Sequence, residues 1–287
     1  MDYRDRASVL VWVILVGLAA QRFLDLPTRT WETEFFGSPV QISITANTIL
    51  GVLLAALIAS GVEAVVRAHP QFLRAGMTIP AATAPPQGRL PGTSIHARWM
   101  YWGLPIAVTV VAILLLPLAP TALYWALGLI ATGVALGLSL AGLYHTTDPF
   151  QQGYRRARLG LNALTYTVAL LLFLVVYSTR ARSIISATEI WLVSSLLALE
   201  LLRGTGRPTV MVTLYTAIVG LVLGQATWVL NYWRLHSLTG GMVLLVLFYS
   251  AVGLAQHALQ GRIRRRIVIE YGLIALAALA LIWEFAP

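Results

Sequence analysis

The polarity of this chain is arranged in long runs. Nine stretches of roughly 20 mainly apolar residues, the length a helix needs to cross a bilayer, follow one another at 8–24, 46–67, 99–118, 121–144, 159–179, 187–203, 209–230, 238–259 and 267–286. They predict an all-α, polytopic transmembrane helix bundle, a single domain over 1–287 with about nine spans. The first run resembles a secretory signal. Asp2 and Asp5 stand beside Arg4 and Arg6, however, and a cut after Ala20 would place Leu18 where a small residue is wanted. It reads as an uncleaved signal-anchor helix.

Local signals punctuate the runs. Between the first two, Trp31, Thr33 and Phe35 alternate with Glu32 and Glu34, and Val40 and Ile42 alternate with Gln41 and Ser43, around Gly37-Ser38. This period of two predicts a small β-hairpin on the outer membrane surface. Ala68–Arg98 holds Pro70, Pro80, Pro85, Pro86 and Pro91, which favours an extended cytoplasmic loop. Pro105 predicts a kink in the third span. Ser186 and Glu189, with Ile185 and Ile190 as staple, form a capping-box pattern at the start of the sixth, and Arg203-Gly204 followed by Pro208 marks its stop. Gly133 and Gly137 in the fourth span, and Gly220 and Gly224 in the seventh, are Gly-x-x-x-Gly pairs that predict helix-packing faces.

Composition agrees with a bilayer environment. Hydrophobic residues make up 58% and charged residues 11%, less than half of the roughly 25% charged residues of soluble domains. The mean hydropathy is +0.78, and there is no cysteine. A water-soluble globular enzyme, a disordered chain and a disulfide-stapled module are excluded. The formal net charge is +9 and the isoelectric point about 10.3, values that often accompany nucleic-acid binding. Here every basic residue is Arg and lies in a short segment between apolar runs. The arginines therefore read as topology determinants facing anionic head groups of the cytoplasmic leaflet, and no nucleic-acid partner is expected.

Placing the N-terminus in the cytoplasm puts fifteen of the twenty arginines inside: Arg4, Arg6, Arg67, Arg74, Arg89, Arg98, Arg155, Arg156, Arg158, Arg203, Arg207, Arg262, Arg264, Arg265 and Arg266. Arg22, Arg29, Arg180, Arg182 and Arg234 remain outside. This predicts a bacterial inner-membrane protein with its N-terminus inside and, after nine crossings, its C-terminus outside. Trp99 and Trp102 at an inner end, with Trp125, Trp191, Trp228, Trp233 and Trp283 near outer ends, form an aromatic belt.

Ionisable residues at membrane depth are candidates for function. Glu63 precedes Arg67 by four, Glu200 precedes Arg203 by three, and Glu270 follows Arg266 by four. Each glutamate thus has a local partner, and each lies near the cytoplasmic face. His145 and Asp148 close span four, and Gln256 and His257 close span eight, at the same face. If these ends converge, Glu63, His145, Asp148, Glu200 and His257 line a cytoplasm-facing cavity suited to acid–base chemistry, with His145 and His257 as candidate metal ligands. At the outer end of span seven, Gln225, Asn231, Tyr232, Trp233, Arg234 and His236 form a polar and aromatic cluster suited to helix-end anchoring or cross-helix hydrogen bonds.

Several short segments carry a resemblance: Leu26-Pro27-Thr28-Arg29, Gly37-Ser38-Pro39, Ser60-Gly61-Val62-Glu63 through His69-Pro70, Ala198-Leu199-Glu200-Leu201-Leu202-Arg203, Asn231-Tyr232-Trp233, and Gly240-Gly241 through Arg264-Arg265-Arg266. Together they resemble a domain-of-unknown-function family of multi-spanning membrane proteins from green non-sulfur-type bacteria. The resemblance extends over nearly the whole chain. It implies a location and a fold type, and it carries over no catalytic residue, substrate or cofactor.

Three functions follow as expectations. The first is a non-enzymatic structural, assembly or accessory component with a membrane-protein partner or a second copy of itself. The second is an enzyme acting on a lipid or isoprenoid at the cytoplasmic leaflet. The third is a small-molecule transporter, for which mid-membrane helix breaks and an inverted repeat are missing from the sequence. No cofactor motif accompanies any of them.

Overall fold

In a computed structural model, residues 3–23, 29–35, 38–67, 99–147, 153–178, 183–233 and 236–284 are described. Among them the helices are α1 (Tyr3–Ala20, continued by a 3-10 turn, Gln21–Phe23), α2 (Ala46–Arg67), α3 (Gly103–Leu115, followed by a 3-10 turn, Leu116–Leu118), α4 (Ala122–His145), α5 (Tyr154–Ser178), α6 (Ser183–Arg203), α7 (Thr209–Tyr232), α8 (Ser237–Leu259) and α9 (Arg265–Glu284). Strands β1 (Arg29–Phe35) and β2 (Ser38–Ile44) pair antiparallel, with Trp31 opposite Ile42 and Phe35 opposite Ser38. The outer face expected for this two-stranded ladder rests on the arginine tally alone.

The bundle is built around α3. It packs on α1, α2, α4, α5 and α6, and 56% of its apolar stretch is buried, against 17% for α1. Gly103 permits the approach to α6, since a Cβ there would stand 2.5 Å from the Leu196 carbonyl oxygen. Aliphatic side chains from α1 to α8 then join in one continuous core. Several hydroxyls within that core turn back onto their own helices. Thr109 donates to Pro105 O (3.1 Å), Thr165 to Leu161 O (2.7 Å) and Thr227 to Leu223 O (2.8 Å). In hydrocarbon no water would satisfy them, so the local carbonyl takes that role.

α6 and α7 form the closest pair of helices. Gly220 and Gly224 lie on α7 where it crosses α6: a Cβ on Gly220 would stand 2.7 Å from the Trp191 carbonyl oxygen, and one on Gly224 3.1 Å from that of Ala187. In α4, Gly133 faces the Leu15 side chain of α1, whereas a Cβ on Gly137 would meet nothing within 4 Å. At the far end of α5, the Tyr177 hydroxyl donates to Leu230 O (3.1 Å) and Trp233 O (3.3 Å), and its ring rests on Gly240 of α8. Close approach at glycine replaces bulk burial as the source of packing here.

The structure corrects three expectations and places two outside its scope. Among the described residues eight helices, α1 to α8, are long and apolar enough to cross a membrane, one fewer than expected; α9 is not among them. Arg265, Arg266 and Glu270 occupy its first turns. The thirteen residues 271–283 left without charge span about 20 Å, short of a hydrocarbon core of about 30 Å. The expected outer C-terminus depended on that crossing. Pro105 falls in the first turn of α3, where a proline has no intrahelical N–H bond to remove, so the kink expected from a mid-helix proline has no cause. Ser186 is no N-cap, because α6 begins at Ser183; its hydroxyl accepts a hydrogen bond from Asn231 Nδ2 (2.7 Å) instead. The proline-rich stretch 68–98 and Asp148 lie outside the described residues.

Candidate functional site

One end of the bundle gathers the charged residues. α1, α3 and α5 begin there, and α2, α4, α6 and α8 finish there. The last turn of α6 is its centre, because a helix C-terminus leaves four carbonyls without intrahelical donors. Glu200 sits in that turn with a fully buried side chain. Arg203, one turn along, donates from Nε to Glu200 Oε2 and from Nη2 to Oε1, both at 2.7 Å. This forked pairing is the strongest geometry open to a guanidinium and a carboxylate.

Four further helices close on this pair. Arg158 of α5 reaches Glu200 Oε1 with Nη1 (3.4 Å) and places Nη2 on the carbonyls of Glu200 (3.0 Å) and Leu201 (2.6 Å). It therefore neutralises the carboxylate and caps the negative end of α6 together. Gly204 makes room, since a Cβ there would stand 2.6 Å from Arg158 Nη2. Gln256 Nε2 of α8 adds a bond to Leu201 O (3.4 Å). Arg203 Nη2 also donates to the Thr146 hydroxyl at the end of α4 (2.9 Å), and its guanidinium lies 4.5 Å from the centre of the Tyr101 ring just before α3, a cation–π contact. A single Arg–Glu–Arg cluster thus ties α3, α4, α5, α6 and α8.

The remaining sequence candidates are held elsewhere. Glu63 pairs with Arg67 on α2, at a partly exposed position. Glu270 pairs with Arg266 at 3.0 Å, well exposed. His145 lies edge-on to the Tyr3 ring (6.4 Å), which itself stacks on Tyr144 at 3.9 Å. His257 lies edge-on to Tyr271 of α9 (5.9 Å), and its buried Nδ1 has no hydrogen-bond partner. α4 packs on α1, α2, α3 and α5, while α8 packs on α5, α6, α7 and α9, so the two histidines belong to different parts of the bundle. Among the described residues no three His, Asp or Glu side chains gather as a metal-ligand set. Glu200 is thus brought together with arginines and not with His145, His257 or Glu63.

Reading by spacing reveals the pair Glu200–Arg203 and misses Arg158, Thr146 and Tyr101. The one signal for Arg158 is its position as the last arginine before the α5 apolar run, where a short reach carries it to a neighbouring helix end.

No curated protein and no solved structure matches the chain. Residues 26–284 match a family model. The protein belongs to the family described as protein of unknown function (DUF5656).

Proposed function

We propose that this protein is a structural, assembly or accessory component of a bacterial cytoplasmic membrane, with the Arg158–Glu200–Arg203 cluster as the clamp of its inner-leaflet end. The cluster is the observation that carries this reading. Both Glu200 oxygens are engaged by arginine, so the carboxylate is not available as a base; it binds helix ends to one another. A rigid end presented to the inner leaflet, with Arg155, Arg156, Arg207 and Arg262 around it in sequence, suits contact with anionic head groups. The arginine tally supports an N-terminus inside whether or not α9 crosses, because every arginine precedes the third residue of α9.

A surface for a partner is present. α9 packs mainly on α8, and none of its described residues is buried. Leu273 and Leu276 are 60% and 65% exposed, and a Cβ on Gly272 would meet nothing within 4 Å. The chain has no cysteine, so single cysteines can be introduced without background. Leu273→Cys and Leu276→Cys, treated with a short bis-maleimide in native membranes, are expected to give a crosslinked species larger than the monomer. A lone monomer from both variants, together with a monomer on native gels, would argue against an assembly role.

A further inference from the structure

We propose that the cleft between α4 and α5, floored by α3, holds one acyl chain of a phospholipid whose phosphate is met by Arg22. The cleft follows from how α5 is anchored. Near the clamp it touches α4, where a Cβ on Gly142 would stand 2.8 Å from the Leu161 side chain. At its other end α5 is drawn toward α7 and α8 by the Tyr177 hydroxyl on Leu230 O and by the Tyr177 ring on Gly240. The two helices therefore part, leaving a cavity of about 400 Å³ over Val108 and Ala112, with Gly128 and Leu171 on its walls. That volume lies in the range of small-molecule sites, about 300–1,000 Å³.

Its lining selects hydrocarbon. The two wall hydroxyls are already used: Thr132 donates to Gly128 O (2.8 Å) and Thr167 to Ala163 O (3.0 Å). Apart from the Tyr124 hydroxyl at its far end, a polar solute would find no open donor and would lose its own hydration. The cleft is also flanked at the depth of the spans by the exposed Leu127, Ile130 and Val134 of α4, so a chain enters sideways from the bilayer. At its far end stands Tyr124. Its neighbour Trp125 carries the Arg22 guanidinium 5.3 Å from the ring centre. Arg22 is one of the five arginines at the less basic end of the bundle. A cation held at the same end of α4 as the far end of the cleft complements an anionic phosphate on a hydrocarbon chain.

The test uses the full chain in phosphatidylglycerol and phosphatidylethanolamine vesicles, with a photoreactive phosphatidylglycerol bearing a diazirine in its acyl chain. Labelled peptides are expected from 108–116 and 164–171. Ala131→Trp, which fills the cleft, and Thr167→Phe, which fills it from α5, are each expected to lower that labelling about tenfold. Thermal unfolding identifies which of the two variants is folded. Arg22→Gln is expected to lower phosphatidylglycerol labelling by a similar factor while leaving that by a neutral diacylglycerol of the same chain unchanged. Label spread evenly over outward faces, or unmoved by a folded filling variant, would overturn the site. Labelling of the cleft by a photoreactive fatty acid or polyprenyl phosphate alone would overturn the phospholipid as its occupant. Equal phosphatidylglycerol labelling in Arg22→Gln would overturn the phosphate contact.

Discussion

Glu200→Ala is expected to destabilise the folded protein by about 3–5 kcal/mol, the loss typical of removing one partner from a buried ion pair. The carboxylate is fully buried and its two arginines are 6% and 15% exposed. Without it, Arg203 and Arg158 would face each other as uncompensated like charges. The magnitude separates two views of the pair. If Glu200 and Arg203 were only a local ion pair on a solvated helix surface, their loss would remove about 0.3–0.5 kcal/mol. Reversible unfolding in mixed micelles distinguishes these values. Replacing Glu200, Arg203 and Arg158 together by leucine is expected to restore much of the loss, because the charges leave with their desolvation penalty. A single-variant effect below about 1 kcal/mol would place the clamp among surface ion pairs.

Gly220→Ala is expected to destabilise by about 1–3 kcal/mol, the range for overpacking a close contact. A Cβ there would stand 2.7 Å from a backbone carbonyl oxygen on Trp191 and 2.9 Å from that residue's ring. A backbone cannot rotate away, so α6 and α7 must separate along their length. Gly137→Ala supplies the control. Nothing lies within 4 Å of the added methyl, and Ala is the better helix former, so a neutral to slightly stabilising change, within about 1 kcal/mol, is expected. Equal effects at the two positions would contradict the packing described here. Unfolding of both variants under the same conditions settles the comparison.

The contrast between these glycines shows what sequence carries and what it does not. Gly133/Gly137 and Gly220/Gly224 have the same spacing in equally apolar runs, yet only packing decides that Gly220 meets a backbone and Gly137 meets open space. The eight candidate membrane-crossing helices were legible because hydrocarbon thickness fixes a minimum run length, and a run is a local property. α9 was misjudged because Ile267, Val268 and Ile269 extend its apolar run while lying between Arg266 and Glu270. At the clamp, Glu200 and Arg203 were visible together because three residues is one helical turn. Arg158 was not, because its contact spans 42 residues and depends on α5 lying against α6. His145 and His257 make the same point: sharing a depth does not by itself bring two side chains together.

The proposed orientation leaves the ends of α6 and α8 in the cytoplasm. Single cysteines at Thr121, Arg207 and Arg262, all exposed turn positions, read this directly with a membrane-impermeant maleimide on intact spheroplasts. Thr121→Cys is predicted to label at once, and Arg207→Cys and Arg262→Cys only after the membrane is permeabilised. Immediate labelling at Arg262, or protection at Thr121, would contradict it.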